Sequence, residues 1–284
     1  MKMIRLLIQR NPIWTYFVLT FMISWGGVLA LGAPHGMPTS REQFEQLYPV
    51  VFLPYLLGPL ISGILLTGLI DGKGGYRELL TRLFRWRVNL RWYAAALLIA
   101  PLFVMAILLV LSLLSPAYLP GIFTADNKLD LLLTGILIGV IGGGLMEEPG
   151  WTGFALPRLR RKYPLLTTGL IIGFLWGAWH FLPTYWGSGD SNGVLSLSLL
   201  LPPCFFYAAV LPAYRVLIVW VHENTNSLLL VILMHASLTA SSLFILAPAV
   251  EGAPLFWYYF ILAGALWGVV AAIKIINNRS SKVS

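Results

Sequence analysis

The chain has 284 residues, of which 58% are hydrophobic and 11% charged, with a formal net charge of +8. A soluble domain carries about 25% charged residues, so a chain this apolar cannot cover its surface in water and needs a bilayer as solvent. That excludes a soluble enzyme. It also makes the distribution of the basic residues more informative than their sum, so the positive balance is not read as nucleic-acid binding.

Eight apolar runs are long enough, or nearly so, to cross a hydrocarbon core of about 30 Å. In chain order they fall at 13–31, 50–70, 92–114, 129–146, 165–186, 194–221, 228–248 and 255–276. The first follows Lys2, Arg5 and Arg10. It is longer than the roughly 7–15 residues of a signal-peptide core, and more spans follow, so it reads as an uncleaved first helix. The sixth is interrupted by Pro202, Pro203 and Pro212, which predicts a kink or a re-entrant part. The expected fold is all-α: one membrane domain over 1–284, about eight transmembrane helices, and no separate soluble domain.

Placing the N-terminus inside puts all 19 Lys and Arg residues except Arg41 and Lys128 into inside segments, Arg215 included. A wrong span count would scramble this alternation. The bias therefore supports an even number of spans with both termini cytoplasmic. Between the second and third runs, Leu79, Leu80, Leu83, Phe84 and Trp86 interleave with Arg77, Arg82, Arg85, Arg87 and Arg91. This predicts an amphipathic helix over 76–92 lying in the cytoplasmic interface, with its arginines on lipid phosphates. Cys204 is the one cysteine. It reads as a structural thiol, and His35 and His222 as loop residues.

Ionisable groups at membrane depth are costly and mark function. Three places stand out. Glu147 and Glu148 directly follow an apolar run containing Gly142, Gly143 and Gly144. Adjacent acids at a membrane boundary repel each other and lose hydration, a situation suited to proton transfer near neutral pH, and the glycines let a backbone or substrate come close. The alternative, a solvated helix end, sits poorly with the apolar stretch 149–157 that follows. His180 lies four residues after Trp176 on one helix face. It could ligate a metal, hold a water or act as general base. His235 shares a face with Thr239, and Ser242 comes near it a turn later. An imidazole and a hydroxyl can together donate to a developing oxyanion; helix–helix hydrogen bonding is the competing account. If these helices pack together, the set is what hydrolysis by an activated water needs. No serine lies in a nucleophile-elbow context and there is no HExxH.

At these residues the chain resembles the CPBP family, the CAAX proteases and bacteriocin-processing enzymes. Residues 147–159, Glu-Glu-Pro-Gly-Trp-Thr-Gly-Phe-Ala-Leu-Pro-Arg-Leu, look like its first motif, a diglutamate with a glycine- and tryptophan-rich turn. Residues 176–183 resemble the second motif and 229–239 the third, and the resemblance extends over most of 76–242. It implies an intramembrane endopeptidase acting on a peptide or protein, possible substrates including lipid-modified ones, in a cavity open to the cytoplasmic leaflet. By that carry-over Glu147 activates water with His180, Glu148 supports the site, and His235 with Thr239 stabilises the oxyanion. It also implies that a divalent metal such as zinc could be held by Glu147, His180 and His235. Two positions depart from the family pattern: Thr152 stands where arginine is usual, and Thr239 where asparagine is usual. Arg215 is the candidate replacement cation. The rival expectation is a non-catalytic membrane binding protein, such as an immunity or scaffold factor, using the same cavity. A transporter ranks last, for want of repeated halves or matched broken helices. Substrate and oligomeric state are not legible.

Overall fold

The computed structural model describes residues 8–280. Lys2, Arg5 and Lys282, which entered the charge argument, lie outside the described residues. Eight helical segments are long and apolar enough to cross a membrane. They are α1 (Pro12–Leu31), α2 (Arg41–Leu83), α3 (Leu90–Ser112), α4 (Lys128–Arg160), α5 (Leu165–Trp186), α6 (Leu197–Thr225), α7 (Leu228–Ile245) and α8 (Gly252–Ser280). Their starts are chemically marked. Ser40, Asn89, Asn127 and Ser227 each accept a backbone N–H of the following first turn, and Pro12 occupies a first-turn position where its missing N–H costs nothing.

Two expected boundaries move. The fourth span does not stop at the diglutamate: it runs on to Arg160, through π-helical turns at Gly139–Leu145 and Pro149–Ala155. Glu147 and Glu148 are therefore interior residues of a helical span, 3% and 0% exposed. The predicted interfacial helix is shorter than 76–92. Helix α2 breaks at Gly72, whose φ of 62° suits glycine, resumes to Leu83, and is followed by an irregular link to α3 at Leu90. Phe84, Trp86 and Leu80 are exposed there, but Arg82 is buried and donates to the Gly153 carbonyl (3.1 Å) rather than reaching lipid phosphate. The sixth span is continuous, with a π-helical turn at Phe206–Val210 instead of a re-entrant loop.

Inside the bundle α2 and α4 cross at backbone contact. A Cβ on Gly150 would lie 2.3 Å from the Pro59 carbonyl oxygen and 2.4 Å from the Tyr16 hydroxyl, and one on Gly63 2.7 Å from Gly150 Cα. Without a hydrophobic force between helices in lipid, such close approach is what dispersion packing needs. Tyr16, Trp151, Phe154 and Trp179 fill the surrounding core, Tyr16 and Trp151 edge to face at 5.6 Å.

Contacts define two ends of the bundle. At one, Arg158 pairs with Asp71, Arg160 with Glu223 (2.8 Å), and Ser227 Oγ donates to the Arg85 carbonyl (2.6 Å). At the other, Arg41 reaches Glu251 (2.9 Å), and the Thr39 amide donates to the Trp186 carbonyl (2.9 Å). All the arginine-rich links lie at the first end.

Candidate active site

Helices α4, α5 and α7 bring the three predicted places together. Glu147, His180, His235 and Thr239 line one cavity of about 360 Å³, with walls from α2 and α6. Each carboxylate of the diglutamate faces a different environment, because consecutive helical residues point about 100° apart.

Glu147 points into the cavity. Its Oε2 accepts the indole N–H of Trp176 (2.7 Å) and of Trp151 (3.2 Å), the latter one turn along its own helix. These donors orient the carboxylate, and Oε1 lies 4.0 Å from His235 Nε2. Glu148 points away, into a closed polar knot. Its Oε1 meets His235 Nδ1 at 2.6 Å; its Oε2 meets Arg215 Nη1 at 3.0 Å and the Thr152 hydroxyl at 2.5 Å. Arg215 is fully buried within α6, with its guanidinium carbon 4.1 Å from the Trp176 ring centroid. It is not an inside-segment charge, as the charge count assumed. It is the cation at the diglutamate, beside the threonine that stands where the family motif has arginine.

His180 Nδ1 is 2.8 Å from the Trp176 carbonyl, which can only accept, so Nδ1 carries the hydrogen and Nε2 keeps its lone pair. The ring stacks on Tyr207 at 4.8 Å. His235 and Thr239 converge on α4 at Gly143, where a Cβ would sit 2.7 Å from Thr239 Oγ1 and 2.9 Å from His235 Nε2. Only glycine lets both heteroatoms crowd this backbone. Ser242 is buried but does not line the cavity. His222, expected in a loop, is buried in the last turns of α6.

The expected ligand set of Glu147, His180 and His235 does not gather. Among the described residues no three His, Cys, Asp or Glu side chains stand together as a metal site, whereas catalytic zinc usually takes three protein ligands. Glu147 Oε1 and His235 Nε2 form a pair without a third partner, so these residues do not fit a zinc ion in this arrangement.

Sequence reasoning found every glutamate and histidine that lines the cavity but missed groups that orient them. Trp151 carried a signal, four residues after Glu147. Tyr207 carried none, since only tertiary packing brings it to His180.

The cavity occupies one end of the bundle. It is lined by residues 44–56 of α2, 138–147 of α4, 176–188 at the end of α5, 199–211 of α6 and 235–244 of α7. Every one of these stretches lies toward the Arg41–Glu251 end. Toward the arginine-rich end the cavity is closed by fully buried Trp151, Thr152, Phe154, Arg215, Leu217 and Leu230.

Residues 129–241 match the family model described as Type II CAAX prenyl endopeptidase Rce1-like. The chain is also 24% identical over 226 residues to a curated protein named CAAX prenyl protease 2 from Methanococcus maripaludis, covering 78% of this chain and 80% of that one. All three motifs of the sequence reading fall inside the matched stretch, and both matches support the resemblance to the CPBP family of CAAX-protease-like membrane proteins.

Proposed function

We propose that the protein is an intramembrane endopeptidase of the plasma membrane that hydrolyses a peptide bond with a water activated by Glu147. The observation that carries this reading is Glu147 itself. It is a buried carboxylate, held through one oxygen by two indole N–H donors, with its other oxygen beside a cavity also lined by two histidines. A carboxylate anchored this way is positioned as a general base without being neutralised by a cation of its own.

In the proposed reaction a water between Glu147 Oε1 and His180 Nε2 loses a proton to Glu147 as its oxygen attacks the scissile carbonyl carbon. The carbonyl π electrons move to oxygen, giving a tetrahedral oxyanion over Gly143. The Thr239 hydroxyl donates to that oxyanion, and so does His235 Nε2–H when the ring carries two protons. Glu148 at Nδ1 is the counter-ion for that ring, and the Arg215 guanidinium, 3.0 Å away, holds Glu148 in place. Collapse breaks the C–N bond, and the proton on Glu147 passes to the leaving amine. The non-catalytic binding reading loses its main support here, because Arg215 supplies the cation that Thr152 lacks and Thr239 keeps a donor beside His235.

The relatives' printed names point to prenylated C-terminal peptides as one substrate class to try. The test is purified detergent-solubilised protein on a library of lipid-anchored peptides, with Glu147→Ala alongside and metal content measured on both. Cleavage by the wild type that is lost in the variant supports the reading. Stoichiometric zinc lost with it would show that the site rearranges to take a metal. Folded wild type that cleaves nothing, with or without added zinc, returns the binding-protein reading.

A further inference from the structure

We infer that the link between α2 and α3 forms a binding site for a phosphate group, and that this phosphate belongs to an anionic lipid. The sequence predicts arginines spread along an interfacial helix; the structure instead gathers three of them on one short irregular segment. Arg85, Arg87 and Arg91 line an open pocket of about 420 Å³, which Asn89 and, from the end of α6, Asn224 and Thr225 complete. Among the described residues none of the three guanidiniums pairs with a carboxylate. The acids close in sequence are already engaged: Glu78 faces Arg82 (3.6 Å) and Glu223 faces Arg160 (2.8 Å). The pocket also takes in the start of α3, whose first turn holds no acid. A long helix carries partial positive charge at that end. Positive charge is thus concentrated here without an internal counter-charge.

The segment is pinned, so the cations converge on a fixed place. Ser227 Oγ donates to the Arg85 carbonyl (2.6 Å), and the Trp86 carbonyl accepts from the Tyr93 hydroxyl (2.7 Å) and the Val88 amide (3.0 Å). Arg87 lies over the Trp86 ring and Arg91 over the Trp92 ring, their guanidinium carbons 5.0 and 5.1 Å from the centroids. Stacking restricts each side chain and leaves its N–H edge free for an acceptor. Phosphate fits this donor set, because its oxygens can take N–H bonds from several guanidiniums at once. A carboxylate offers two oxygens and a single charge to three cations. The lipid source follows from what flanks the pocket. Phe84, Trp86 and Leu90 are 71%, 59% and 79% exposed. Large apolar side chains exposed beside arginines at the ends of membrane-spanning helices sit at headgroup level, where lipid phosphates are concentrated. The site shares no lining residue with the cavity at Glu147, and the proposal does not rest on the hydrolase reading.

The test is lipid retention by the full chain in detergent, titrated with phosphatidic acid, phosphatidylglycerol or phosphatidylcholine, with bound lipids counted by native mass spectrometry. One variant combines Arg85→Gln, Arg87→Gln and Arg91→Gln. A control variant removes three other basic residues of the same end, through Lys73→Gln, Arg161→Gln and Lys162→Gln. All six side chains are exposed, so both variants should fold, which unfolding midpoints recorded without lipid verify. Expected is an anionic lipid retained by the wild type in preference to phosphatidylcholine. Its affinity should weaken about 10²-fold in the pocket variant and by less than about threefold in the control. Equal losses in both variants would reduce the site to diffuse surface charge and overturn the proposal. So would an unchanged affinity in the pocket variant, or a wild type without preference for anionic lipid. Inorganic phosphate and glycerol 3-phosphate serve as competitors and should not displace the lipid at equal concentration. Displacement there would overturn the lipid assignment and make a soluble phosphate the ligand.

Discussion

Replacing Arg215 by methionine leaves Glu148 without its cation in the interior of the bundle. Both side chains are 0% exposed and the pair is 3.0 Å apart, so water cannot take the place of the guanidinium. Removing one partner of a buried pair costs roughly 3–5 kcal/mol. That is a large part of a typical total stability of about 5–15 kcal/mol. Methionine replaces the aliphatic stem of the lost side chain but not the guanidinium over Trp176, so the cost combines the lost charge pair with a small cavity. The Thr152 hydroxyl already touches the same Glu148 oxygen. Thr152→Arg alone adds a second cation and excess volume to a filled site and is destabilising. The double variant Thr152→Arg, Arg215→Met moves the cation from α6 to α4 and should recover at least about 2 kcal/mol relative to the sum of the singles. Thermal and denaturant unfolding in one detergent measures all four proteins, with turnover as a second readout. Additive losses, or a neutral Arg215→Met, would refute the assignment of Arg215 as the counter-ion of the diglutamate.

Other substitutions probe the remaining parts. Thr239→Val deletes the proposed hydroxyl donor and should lower kcat by about 10²–10³-fold, while Thr239→Asn, the family's usual residue, should stay active; equal kcat for valine and threonine would remove Thr239 from the chemistry. Gly143→Ala puts a methyl 2.7–2.9 Å from Thr239 Oγ1 and His235 Nε2; peptide hydrolysis should vanish in a protein that still purifies as a folded species, and wild-type kinetics would mean the oxyanion forms elsewhere. Trp176→Phe removes the shorter indole hydrogen bond to Glu147 and is expected to reduce kcat more than it changes KM, a split read from steady-state kinetics. Gly150→Ala drives a methyl into the Pro59 carbonyl and should lower the unfolding midpoint without a selective effect on kcat; an unchanged midpoint would show that α2 and α4 can separate freely.

Much of the fold was legible because lipid imposes a simple rule: a helix must carry about 20 apolar residues to satisfy its backbone across the bilayer. Hydropathy failed at Glu147–Pro149, where charge and proline mimic a helix end. There the chain stays helical because π-helical turns and buried partners accommodate both acids. Arg215 was counted with the inside segments for a related reason. A cation counts as an inside charge until its counter-ion is known, and Glu148 is distant in sequence. His222 was placed in a loop because polar Glu223 and Asn224 follow it, yet the last turns of α6 bury it. The proposed catalytic set was legible because ionisable residues are so few in this chain, and because motif order adds what spacing cannot. The indoles that orient Glu147 and the phenol under His180 were not, since an apolar span offers many aromatics of equal standing.

The most direct test of the hydrolase reading is single-turnover cleavage of one peptide in proteoliposomes by wild type, Glu147→Gln and His180→Ala, with unfolding curves recorded for each. Glutamine preserves the shape of Glu147 but cannot take the proton from water, so cleavage should fall by about 10²–10⁴-fold in Glu147→Gln and by a comparable factor in His180→Ala. All three proteins should remain folded. Wild-type-like cleavage by both folded variants would contradict a Glu147-activated water and the mechanism built on it.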